Sequence, residues 1–138
     1  MPDMRNEDEL GGVNEGLPTE LDCNLAMIAH LLYVLPIVGI LGALLIWQWR
    51  REESRFLDYQ AKQAAAFQGA VLGVMVVVGI VVAVFGHVPV VGALFRIGLW
   101  LTVILIGLGG LALALNAAVR VRLGANYKYP VVSGWVGE

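Results

Sequence analysis

Four side chains in this sequence belong to types that ligate metals or move protons: Asp22, Cys23, His30 and His87. Zinc sites draw on Cys and His at short, repeated separations, and these four match no such spacing. His30 could also ligate a metal or pigment or titrate, but the plainer reading is a polar side chain satisfied by one hydrogen bond. The apolar runs hold no paired carboxylates, and neither a Ser–His–Asp arrangement nor a glycine-rich phosphate loop is readable. No catalytic, cofactor-binding or metal-binding residue is therefore assigned, and the chain is expected not to be an enzyme. Cys23 is the single cysteine, which excludes an internal disulfide.

The remaining candidates concern assembly. Ala65, Gly69 and Gly73 recur every fourth residue, as do Gly110, Ala114 and Ala118. Small residues at that spacing let helix backbones approach closely where lipid removes the hydrophobic drive. They are read as helix-packing positions, within the bundle or toward a partner. Gln68 and Asn116 are isolated polar residues expected at similar depth, and an interhelical hydrogen bond between them is predicted. Arg50, Arg51, Arg55 and Lys62, with Tyr127 and Tyr129, are expected to contact lipid headgroups or a partner. Each basic residue near an anionic surface contributes about 1 kcal/mol.

The elements that must position these residues follow from composition. The 138 residues are 59% hydrophobic and 14% charged, with a mean hydropathy of +0.77. So little polar surface cannot cover so much apolar surface in a chain of this size. The predicted fold is all-α, a bundle of three transmembrane helices spanning about 25–49, 64–85 and 97–119. Each stretch reaches the roughly 20 residues needed to cross a bilayer. Pro36 is expected to kink the first span. The piece Val88–Phe95 is left open among a loop, an interfacial segment and part of the third span.

Residues 1–24 carry seven acids against Arg5. Residues 1–23 are accordingly read as a disordered acidic tail, 24–130 as the membrane domain and 131–138 as a short C-terminal tail. Arg50, Arg51, Arg55 and Lys62 lie between spans one and two, and Arg120, Arg122 and Lys128 follow span three. The bias of basic residues toward the cytoplasm puts both segments inside and the N-terminus outside, in the cytoplasmic membrane.

Three stretches carry a resemblance. Trp47, then Arg50-Arg51-Glu52-Glu53-Ser54-Arg55-Phe56 and Ala61-Lys62-Gln63-Ala64 with Phe67-Gln68, is similar to the signature of small prokaryotic membrane proteins of the Tic20-like family (domain of unknown function 4870). Ala29-His30-Leu31 and the ending Gly124-Ala125-Asn126-Tyr127-Lys128-Tyr129-Pro130 resemble two further pieces of it. Gln60 stands where that family usually has His, and Ala125 where it often has Glu. The resemblance implies a membrane bundle without catalytic chemistry, and a likeness to a protein-import component. It also suggests that the loop and the tail dock on one another, through Tyr–Arg and Tyr–Lys contacts.

The expected function is that of a non-catalytic interaction, assembly or accessory subunit of a larger membrane complex. Membrane lipids and a protein partner or second copy are the expected partners, with no nucleic acid. The alternative is a small transporter or channel component.

Overall fold

The structure is a computed structural model that describes residues 16–136. The chain is all-helical: α1 (Glu20–Leu31), a 3-10 turn (Leu32–Val34), α2 (Pro36–Arg50), α3 (Arg55–Phe85) and α4 (Pro89–Arg122). The part of the acidic head before Gly16 lies outside the described residues. Glu20–Cys23, assigned to that head by the sequence reading, form the first turn of α1.

The first apolar stretch is not one kinked span. Leu35 takes an extended conformation (φ −112°, ψ 90°) and Pro36 occupies the first turn of α2. Proline fits there because its missing N–H would have no helical partner, and it forces the preceding residue out of the α region. The chain therefore folds back, and α1 and α2 form a helical hairpin. Their 12 and 15 residues rise only about 18 and 22 Å, short of a hydrocarbon core of about 30 Å.

The base of the hairpin is held by ions and caps. Thr19 and Asp22 form a capping box at the start of α1, which satisfies two orphan N–H groups reciprocally. Asp22 also lies 3.5 Å from Arg50 at the end of α2, and Arg50 reaches on to Glu53 at 2.5 Å. Glu20 meets Arg122, the last residue of α4, at 3.5 Å. The start of α1 thus sits at the same end of the molecule as the 51–54 loop and the end of α4. That corrects the expectation that the N-terminal side and the C-terminus lie on opposite faces.

The tip of the hairpin is wedged between the long helices. Tyr33 donates a 3.0 Å hydrogen bond to the Ile106 carbonyl of α4. It comes so near α4 that a Cβ on Gly110 would collide with its hydroxyl, and a Cβ on Gly39 would strike the Leu32 carbonyl. Both approaches need glycine, because no other residue leaves the space.

α3 and α4, of 31 and 34 residues, are long and apolar enough to cross a membrane. α4 runs unbroken from Pro89, so Val90–Phe95, left open by the sequence, is helical. The core gathers at the loop end: α3 buries residues only from Leu57 to Gln68, and α4 buries Gly92 and then Gly110 to Val121. Beyond that, Val76, Val77, Ile80 and Val84 of α3 and Trp100, Leu101, Leu105 and Leu108 of α4 stand exposed. A contiguous apolar surface of this kind needs lipid or a partner.

Gly110→Leu is expected to expel Tyr33 and lower unfolding stability in detergent by about 1–3 kcal/mol, the usual cost of overpacking. Gly73→Leu should leave it near wild type, since a Cβ there meets nothing within 4 Å. Thermal unfolding of the two variants side by side checks the contrast.

Candidate functional site

The densest polar grouping is buried beneath the loop end, where α1, α3 and the C-terminal tail meet. α1 turns Asp22, Cys23, Ala26, Ala29 and His30 inward, a helical i, i+4, i+7, i+8 face. α3 supplies Gln60, Gln63 and Phe67, which are buried and again share one face.

The tail arrives by a glycine turn. Gly124 adopts φ +77°. Its N–H donates to the Val121 carbonyl (3.0 Å), and Ala125 N–H donates to the Arg120 carbonyl (3.1 Å). These two bonds are a Schellman motif, which ends a helix on a left-handed residue that glycine adopts at least cost. The chain then runs back against the bundle, burying Tyr127 (8% exposed) and Tyr129 (1%).

Tyr129 is held on three sides. Its ring stacks on Phe67, with centroids 4.0 Å apart and planes 6° from parallel. Its hydroxyl lies 3.0 Å from His30 Nδ1, and its backbone N–H donates to Gln63 Oε1 at 3.4 Å. Gln63 in turn donates to the Tyr59 hydroxyl at 3.0 Å. The Gln60 amide pairs with the Tyr127 backbone, its nitrogen donating to the carbonyl (3.2 Å) and its oxygen accepting from the N–H (3.0 Å). In that orientation the nitrogen also faces His30 Nε2 at 3.3 Å, so Nε2 accepts and Nδ1–H donates to Tyr129. Burial, reinforced by the neighbouring Tyr127 and Tyr33 phenols, pushes the Tyr129 phenol above its ordinary value and keeps it neutral.

Asp22 is the charged end of this assembly. Burial raises its carboxyl. Hydrogen bonds from Thr19 and Ser54 and the Arg50 charge outweigh that, leaving it below the ordinary aspartate value. The geometry holds a peptide segment in place. Among the described residues no three His, Cys, Asp or Glu side chains come together as a metal-binding group.

The sequence-assigned residues fall differently. Gln68 and Asn116 do not pair: Gln68 donates to the Ala29 carbonyl (2.9 Å) and Asn116 accepts from Arg120 (3.3 Å). The reason is register, since α3 begins at Arg55 and Gln68 lies near its middle. Tyr127 and Tyr129, expected at a lipid or partner surface, are interior. The tail docks through Gln60, Gln63, Phe67 and His30. Among the basic residues Arg50 binds Asp22, Lys62 binds Asp58 at 2.7 Å, Arg51 lies 5.2 Å above Trp47, and Arg55 is exposed. Gly110, Ala114 and Ala118 are buried, Ala65 is half-buried, and Gly69 and Gly73 are exposed. The sequence reading assigns none of His30, Gln60, Gln63 and Phe67 to the site. The spacing Gln60, Gln63, Phe67 on one helix face was the available signal.

The family model for the magnetosome magnetite crystal formation proteins (MamF/MmsF) matches residues 21–136. The chain belongs to that family. The match runs from α1 through the latched tail, and it overturns the Tic20-like assignment: the loop and tail motifs that carried that resemblance lie inside the matched region. No curated protein and no solved structure matches the chain. Two membrane-length apolar helices with outward apolar side chains, in a magnetosome family, make this a membrane protein.

Tyr129→Phe should cost about 0.5–1.5 kcal/mol, the net worth of its hydrogen bond. Tyr129→Ala should cost roughly 3–5 kcal/mol, as for other buried aromatics, and expose the tail to limited proteolysis. A tail equally resistant in Tyr129→Ala would contradict the latch.

Asp22 gives a pH test. Its folded value lies below its unfolded value, so its stabilisation is complete above about 3.9. That stabilisation is lost as pH falls through the folded value. Unfolding stability measured from pH 6 down to 3 should fall more steeply for wild type than for Asp22→Asn.

Proposed function

We propose that this protein is a non-catalytic accessory component of the magnetosome membrane that supports magnetite crystal formation by organising that membrane. The α3–α4 hairpin crosses the bilayer, and the α1–α2 hairpin enters from one side without crossing. The family assignment supplies the process. The observation that carries the architecture is the convergence of Glu20 and Asp22 with Arg122 and Arg50 at one end. Helix ends joined by ion pairs cannot lie on opposite faces of a bilayer.

Seven Lys and Arg residues (Arg50, Arg51, Arg55, Lys62, Arg120, Arg122 and Lys128) belong to the segments at that end. This favours the cytoplasmic side for the loop, the start of α1 and the tail. Among the described residues, the opposite side receives only the turn around Gly86–Val88. Arg51, Arg55 and Lys62 are then placed to meet anionic headgroups. The bare apolar flanks of α3 and α4 would associate with lipid, a protein partner or a second copy within the membrane.

Single cysteines introduced into a Cys23→Ser background test this topology. Leu17→Cys and Trp135→Cys, at positions 66% and 75% exposed, should both react with an impermeant maleimide in inverted vesicles. His87→Cys should react only in right-side-out vesicles. Labelling of Leu17→Cys and Trp135→Cys from opposite sides would overturn the re-entrant hairpin.

A further inference from the structure

A groove of about 720 Å³ lies between α2 and α3 near the loop end. α2 lines it with Ile40, Leu44 and Trp47, and α3 with Lys62, Ala65 and Ala66. Those positions are spaced i, i+4, i+7 on one helix and i, i+3, i+4 on the other, so each set shares a helix face. The alanines present only methyl groups, which keeps the floor of the groove low. Trp135 of the tail lines it as well.

Polarity is graded along the groove. Trp47 stands three residues before the end of α2 and Lys62 seven after the start of α3, about 5 and 10 Å from the loop. Ile40 and Ala66 lie about 15 Å from it. Lys62 is the one charged side chain in the lining. One N–H of its ammonium donates to Asp58 at 2.7 Å, leaving two for other acceptors. The Trp47 ring backs it, with the centroid 5.7 Å from Nζ. Asp58 is outside the lining, and its two oxygens already accept from Lys62 and the Trp47 indole N–H. Among the described residues seven bases stand against five acids at this end. The groove therefore presents a cation at its shallow end and only apolar side chains at its deep end. Lys and Trp are the residues that meet headgroups, and the apolar end reaches hydrocarbon.

We propose that this groove binds an anionic phospholipid, with one acyl chain along Ile40, Leu44 and the two alanines and its phosphate accepting from Lys62 Nζ. A lipid of the same tails without phosphate fills the apolar part and leaves the cation unmatched. The site deepens the reading that this end of the molecule meets anionic headgroups, and its depth rests on α3 crossing the bilayer. The cysteine labelling tests that topology separately, whereas binding in detergent does not depend on it.

The test uses the full-length protein in dodecyl maltoside, which carries no phosphate. Phosphatidylglycerol with a photoactivatable acyl chain and diacylglycerol with the same chain serve as probes, and labelled residues are mapped by mass spectrometry. Phosphatidylglycerol is expected to label the groove about 5-fold more, the equivalent of roughly 1 kcal/mol for one basic contact. Lys62→Gln should abolish that preference and Lys62→Arg should keep it. Because Lys62→Gln also breaks the bond to Asp58, a second variant leaves that bond intact. Leu44 is 41% exposed, so Leu44→Trp should fill the groove from its open side. It should reduce labelling by both probes without lowering the thermal unfolding temperature. Equal labelling by the two lipids, labelling outside the groove, or a preference that survives Lys62→Gln would each overturn the site. Full labelling of Leu44→Trp would do so too. Labelling that appears only on dilution would assign the groove to a second copy of the chain and overturn the lipid site.

Discussion

Asp22 caps its own helix while pairing with Arg50, and this double commitment governs the rest of the architecture. A carboxylate at a helix start is favoured by the exposed N–H groups and the positive end of the dipole. Here the same group also draws in the end of the next helix. α1 and α2 are each too short to cross a bilayer, so they depend on being held together at the base. With the base fixed, the tip falls where Tyr33 can reach a carbonyl of α4. Removing either partner would leave a poorly solvated charge, a far larger penalty than the pair's own net worth.

The tail answers a different need. Two of the three buried glutamines of α3, Gln60 and Gln63, face the tail, and buried amides must find partners. The backbone of Tyr127 and Tyr129 provides them, arranged much as a neighbouring strand would be. The aromatic stack continues from Tyr129 through Phe67 to Tyr33, with the latter pair 5.6 Å apart. The tail and the hairpin tip therefore lean on the two faces of one phenylalanine, and neither is packed independently of the other.

The helical class and the two long apolar segments were legible because length and hydropathy alone decide them. The fold-back at Leu35–Pro36 was not, since a proline in an apolar run reads equally as a kink or a new helix start. Only the partners of α1 distinguish the two, and they lie at the end of α2 and in α3, α4 and the tail. Gln68 was misplaced for a related reason. Its depth depends on where α3 begins, and the charged residues 55–62 looked like loop although Ser54 caps a helix there. The docking of loop region and tail was anticipated. Its chemistry was not, because charge drew attention to Arg and Lys while the contacts are made by amides and rings.

The separation between His30 and Tyr129 along the chain, 99 residues, has a bearing on how the protein is made. α1 is made before α4 and the tail, yet much of its packing is against them. Closing so long a loop is slow compared with forming local helix contacts. Until the tail is made, His30 has only Gln60 of α3 as a side-chain partner. Arrival of Tyr129 then becomes the event that seats α1.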